Sequence, residues 1–227
     1  QSTMPLLLSS LDRPDDVTAC TSAVHVLGDV CRAIGTDVYT GNWCDAMMTK
    51  FLLLLQSPQV SKVIKPCVIS TFSDVSLAIG EHFESYTSKV TNLLGKASQS
   101  AQFSSERNDE DHDEFVYSIR ESILEAYTGI IISLKEANKQ RDFITQEDIN
   151  NICNFAVQCC DPHDDDKPPA LVKSAIGLLG DMADAFGKDI KQIMHHATVS
   201  AVIKEGLEDK DIKEVAKWTA EKIQEIR

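Results

Sequence analysis

The chain has 227 residues and a formal net charge of −13, from 22 basic and 35 acidic side chains. That length can bury a core without disulfides or metals. The acidic balance argues against a nucleic-acid footprint and against an anionic membrane surface, and favours a basic partner. No uninterrupted apolar run reaches the ~18–20 residues expected of a bilayer span, and no secretory signal pattern opens the chain. The seven cysteines, Cys20, Cys31, Cys44, Cys67, Cys153, Cys159 and Cys160, match no zinc spacing. They read as buried, reduced thiols of a cytosolic or nuclear protein.

The predicted elements are all helices. Met4 to Leu8 form a helix remnant within 4–11. Val17, Cys20, Val24, Leu27, Val30, Cys31 and Ile34 recur at three- and four-residue spacing, one face of a helix over about 15–34. Helix pairs follow near 43–56 and 60–80, 82–101 and 114–135, 144–160 and 169–187, and 188–204 and 210–226. Thr145 with Asp148 three residues on is a capping signal. Gly35, Gly80 and Gly187 fit the left-handed residue that ends a helix. Alternating β-branched runs and Asn-Gly or Asp-Gly turns are missing, so no strand is predicted. Two polar insertions, 104–114 and 161–169, are expected to be exposed loops, because rows of acidic side chains are not buried unpaired.

The helices repeat. Residues 26–35, 71–80 and 178–187 align without gaps as apolar, small, Asp, apolar, two variable, Ala, apolar, Gly. A weaker copy lies at 126–134, with Gly129 in the Asp position. Asp29 and Asp74 are 45 residues apart; Asp74 and Asp181 are 107 apart, two repeats with insertions. A period of 40–47 residues is that of HEAT and armadillo arrays. The expectation is an all-α, right-handed HEAT-repeat solenoid of about four and a half helix pairs, one domain over 1–227. Because it begins mid-repeat without a polar cap, it is expected to be part of a longer array.

The stretch Arg-Glu-Ser-Ile-Leu-Glu-Ala-Tyr-Thr-Gly-Ile at 120–130 resembles the importin-β (karyopherin-β) family. So do Lys65-Pro66 with 70–80, the segment 177–189, and the tail Ala216-Lys217-Trp218-Thr219-Ala220. The resemblance covers the chain in order and implies C-terminal repeats of a nuclear transport receptor. It implies inner helices that wrap the basic N-terminal segment of the adaptor importin-α, and outer helices that accept phenylalanine–glycine repeats of nucleoporins. It also implies release by Ran-GTP, held mainly by repeats missing here, and residence in cytoplasm, nucleus and nuclear pore. No cofactor, nucleic acid or membrane insertion is implied.

Asp29, Asp74 and Asp181 occupy equivalent turns of helices stacked ~8–10 Å apart. Such a row on a concave wall would focus negative potential on an Arg- and Lys-rich helix. The plain alternative is that each Asp braces the stack. The resemblance favours the concave row, with Glu81, Glu121, Glu125 and Asp184 as supporting charges. Trp218 is either core packing at the end of the array or an aromatic platform for a partner cation; the family uses it as a platform. Met47, Met48, Phe51 and Leu54 are candidates for a phenylalanine-repeat groove, or else an ordinary core stripe. The Asp-rich 161–166 stretch lacks the glycine and terminal glutamate of a calcium loop and reads as a solvated linker. No catalytic motif is present, so the chain is not read as an enzyme. The alternative function is a generic HEAT-repeat scaffold subunit.

Overall fold

The computed structural model describes residues 3–101 and 110–226, and among them every regular element is helical. In chain order these are α1 (Thr3–Ser10), α2 (Val17–Ile34), α3 (Asp37–Thr40), α4 (Cys44–Gln56), α5 (Ile64–Ile79), α6 (Glu84–Ser100) and α7 (Glu110–Glu136). Then come α8 (Gln140–Phe143), α9 (Gln146–Gln158), α10 (Pro169–Phe186), α11 (Lys191–Met194), α12 (Ala197–Glu208) and α13 (Lys213–Glu225). One layer is the succession α2, α5, α7, α10, α13, each packed on the next. Its partners α1, α4, α6, α9 and α12 form the second layer, one against each. The short first helix makes the first pair incomplete.

The stripes read from the sequence are the ones that are buried. Ile64, Val68, Phe72, Val75 and Ile79 of α5 lie in a core continuous from α1 to α13. Small residues set the spacing of the first layer. A Cβ on Gly28 would stand 2.5 Å from the Asp74 carboxylate of α5, and one on Gly129 would stand 2.6 Å from the Ser73 backbone. One on Gly180 would collide with Trp218 of α13. The small residue before Asp is thus a close-approach position in three copies: Gly28 faces α5, Gly180 faces α13, and Ser73 is met by Gly129 of α7. Hydroxyls tie the same helices: Ser133 donates to the Ser76 carbonyl at 2.8 Å and Thr219 to the Ile176 carbonyl at 2.9 Å.

The repeat glycines take a conformation different from the one expected. Gly35, Gly80 and Gly187 have φ of 56°, 55° and 51° with ψ of −132°, −125° and −119°. Positive φ was anticipated, but the negative ψ is not left-handed helical. It turns the chain sharply out of the helix, and only glycine adopts it without strain. Thr145 and Asp148 do form the capping box.

Four other expectations change. The predicted helix over 188–204 is split into a 3-10 turn (Gly187–Ile190), α11 and α12; His196 breaks it, its ring accepting from the Thr198 amide to cap α12. Of the insertion 104–114, residues 110–114 form the first turn of α7 and 102–109 lie outside the described residues. Residues 161–168 are irregular, but Asp164 is buried and accepts a hydrogen bond from the Tyr117 hydroxyl at 2.8 Å. An acidic side chain enters the core there because a donor on α7 meets it. Finally, α2 with 18 residues and mean hydropathy 1.2 is long and apolar enough to cross a membrane. Cys20, Ala23, Val24, Leu27, Gly28 and Cys31 are nevertheless its buried face, against α1 and α5, while Asp29 and Arg32 are exposed. It is a packed member of the array.

Candidate partner-binding face

The repeated Asp turn puts charge on one side of the α2–α13 layer, in two groups. The first spans α2, α5 and α7. Arg32, three residues after Asp29 on its own helix, reaches across to Asp74 while also holding Asp29. The shared guanidinium crosslinks α2 and α5. The Asp74 side chain is only 19% exposed, whereas Asp29 stays 68% exposed. Glu125 on α7 lies close to this group. Partial burial, with Asp74 and Glu121 nearby, pushes its carboxyl above the usual range, and Arg32 opposes that.

The second group spans α7, α10 and α13. Asp184 pairs with Lys135 of α7 and with Lys222 of α13, the latter at 3.0 Å. Burial alone would raise its pKa, but the two ammonium hydrogen bonds win and hold it below the ordinary value. Asp181, one turn earlier, faces a small cleft of about 170 Å³ with Ile131, Ile132 and Lys135. Burial first, then repulsion from Asp184, pushes Asp181 up to about 6, and Lys135 offsets only part of this. Trp218 adjoins it: the partly buried ring lies on the Gly180 backbone, next to Asp181.

The predicted residues therefore divide. Asp74 and Asp184 are bound within the array. Asp29, Glu121, Glu125, Asp181 and Trp218 occur on the same helix layer with less internal compensation. Glu81 lies apart, in the 3-10 turn Gly80–Phe83, where its charge acts on Lys139, itself paired with Glu84. The bracing cations Arg32, Lys135 and Lys222 were missed in the sequence. Arg32 had a local signal, three residues after a repeat Asp; Lys135 and Lys222 become neighbours of Asp184 only through stacking.

The predicted apolar groove is corrected. Met47, Met48, Phe51 and Leu54 are each at most 5% exposed. They face α5 and the core; Phe51 meets Phe72 edge-on with ring centroids 6.3 Å apart. An open cleft of about 730 Å³ lies instead on the adjoining face of α4. It is lined by Leu52 and Leu55 of α4, Leu93 and Ala97 of α6, and Phe115 and Ile119 of α7. The signal was the run of four leucines at 52–55, more than one buried stripe can absorb.

All seven cysteines are free, six of them buried. Burial pushes the Cys31 thiol up to about 12 and Cys44 to about 11, against nucleophilic use.

Residues 1–207 match the family model for importin subunit beta-1-like proteins, TPR repeats. The chain belongs to the importin-β family. It is 34% identical over 207 residues to importin subunit beta-1 of Arabidopsis thaliana, covering 90% of this chain and 23% of that protein. It is 32% identical over 226 residues to importin subunit beta-1 of Schizosaccharomyces pombe, covering 98% and 25%. A crystal structure of importin beta in a polyethylene glycol condition superposes with a TM-score of 0.88 at 26% identity, over 97% of this chain and 26% of that one. A structure concerning Kap95p binding to RanGDP matches with a TM-score of 0.82 at 25% identity, over 97% and 25%. The chain thus spans about a quarter of the length of these importin-β relatives. The observed array is their HEAT-repeat solenoid.

Proposed function

We propose that this importin-β chain is part of a nuclear import receptor and holds the basic N-terminal segment of importin-α against the α2–α13 layer. The match of residues 1–207 to the importin-β family carries the transport reading. The partner-facing groups are Asp29, Glu121, Glu125 and Asp181, with Trp218 as an aromatic neighbour and Glu81 at the edge; Asp74 and Asp184 orient the stack beneath them. Asp181 is suited to the role because it is ionised at a cost in the free protein, and a partner ammonium or guanidinium removes that cost. The α4–α6 cleft is the place for phenylalanine–glycine segments of nucleoporins. Ran-GTP acts mainly through repeats outside this chain. The receptor then works between cytoplasm, nucleus and pore.

A bracing role for the whole Asp row, in a scaffold without a basic ligand, is favoured by the internal pairs of Asp74 and Asp184. Salt separates the two readings. A labelled importin-α basic segment titrated against the chain should bind at about 50 mM salt and weaken steeply towards about 300 mM, because exposed pairs are screened over ~8–10 Å. Undetectable binding at low salt, or binding indifferent to salt, would favour the scaffold.

A further inference from the structure

The α4–α6 cleft has a rim opposite in sign to the rest of the molecule. Residues 46–73 and 85–101 contain no Asp or Glu, yet carry Lys50, Lys62, Lys65, Lys89 and Lys96, in a chain of net charge −13. Lys65, Lys89 and Lys96 line the cleft. Lys62 stands over the Phe115 ring, its Nζ 5.3 Å from the centroid, so its charge is held at the cleft wall. Several lysines of the array, Lys50, Lys135, Lys139, Lys167 and Lys222, have carboxylate partners. Among the described residues the four rim lysines have none. Apolar floor and basic rim therefore coincide, between α4 and α6 of the second layer and the first turns of α5 and α7.

We propose that this cleft selects an acidic peptide: one or two bulky apolar side chains enter between α4 and α6, and Asp or Glu residues beside them meet Lys62, Lys65, Lys89 and Lys96. The inference rests on reading the cleft as a peptide site and adds charge selection to it. The floor supplies affinity through buried apolar area, and a volume of about 730 Å³ accommodates a few large side chains. The rim supplies discrimination. An exposed pair is worth a factor of roughly 1.5–5, so three or four acting on one peptide give on the order of 10–100-fold over an uncharged one. A basic peptide is repelled at this cleft although the chain as a whole attracts it.

The test uses three labelled peptides with the same Phe and Leu anchors, flanked by Asp and Glu, by Asn and Gln, or by Lys. Each is titrated by anisotropy against the intact chain and against Lys62→Gln/Lys89→Gln/Lys96→Gln, whose three exposed positions leave the core untouched; melting curves check the fold. The expected result is at least about tenfold tighter binding of the acidic peptide than the neutral one at low salt. That preference should collapse in the triple variant while neutral-peptide affinity stays the same. Equal affinity for acidic and neutral peptides, both weakened by Leu93→Asp, would overturn charge selection and leave the peptide-site reading intact. Absence of binding by all three would overturn both. A preference that survives the triple variant would place the acidic peptide elsewhere and also refute the proposal.

Discussion

Asp181 and Asp184 are three residues apart on α10 and experience opposite fields. Asp184 is held by two lysines, so its pKa is depressed and its stabilisation is present above the ordinary carboxylate range and lost as pH falls through it. Asp181 is raised from 3.8 to about 6. Its native form binds the proton more tightly than the unfolded chain does, so stability falls as pH rises from about 4 to 6 and the full cost remains at neutral pH. The same amide substitution should therefore act with opposite sign. Asp181→Asn should stabilise at pH 7 by about 1–3 kcal/mol, less whatever solvent screening removes, with the gain vanishing near pH 4. Asp184→Asn should destabilise by about 1 kcal/mol. Denaturant melts of both variants at pH 4, 6 and 7 check this; parallel responses would mean that the two carboxylates share one environment. If a basic segment covers Asp181, its affinity should also decline from pH 7 to pH 5, as protonation removes the charge it engages. Isothermal titration across that range would reveal it.

Between elements, the close approach of the first-layer helices explains why the repeat carries a small residue before its Asp: Ser73, before Asp74, is met by Gly129 of α7. Gly129→Ala drives a methyl against the Ser73 backbone, which cannot swing aside as a side chain could. Overpacking of this kind should cost about 1–3 kcal/mol. Ser133→Ala, which removes the tie to the Ser76 carbonyl, should cost only about 1 kcal/mol. Chemical denaturation should rank the two variants in that order, and the reverse would mean the hydroxyl ties rather than the glycine contacts set the stack. Most of this level was legible in the sequence, because helical stripes, glycine exits and the Thr145 cap are local signals. Long-range partnerships were not. Nothing near Asp164 announces the Tyr117 hydroxyl that draws it inward, and nothing near Asp184 announces Lys222. The stripe of Met47, Met48, Phe51 and Leu54 was visible as apolar, but periodicity does not say which apolar face meets α5 and which stays open; Leu52 and Leu55 proved to be the open one.

At the scale of the molecule, a chain of net charge −13 keeps an acidic row and a local basic rim in different places. The α2–α13 row concentrates carboxylates and spends part of them on Arg32, Lys135 and Lys222, which fix neighbouring helices. The α4–α6 side keeps lysines around an apolar floor. A stack held by such crosslinks presents its remaining acids on a stiff wall, and a rigid basic helix can then engage several at once where a single exposed pair contributes only ~0.2–1 kcal/mol. The central claim is that Glu121, Glu125 and Asp181 face the partner while Asp74 braces the fold. The direct measurement is the affinity of the labelled importin-α basic segment for the chain, for Glu121→Gln/Glu125→Gln/Asp181→Asn and for Asp74→Asn, with thermal melts alongside. The account predicts that the triple variant binds at least about tenfold more weakly without melting early, and that Asp74→Asn melts early while the protein that remains folded binds normally. Unchanged affinity in the triple variant, with wild-type binding intact, would contradict it.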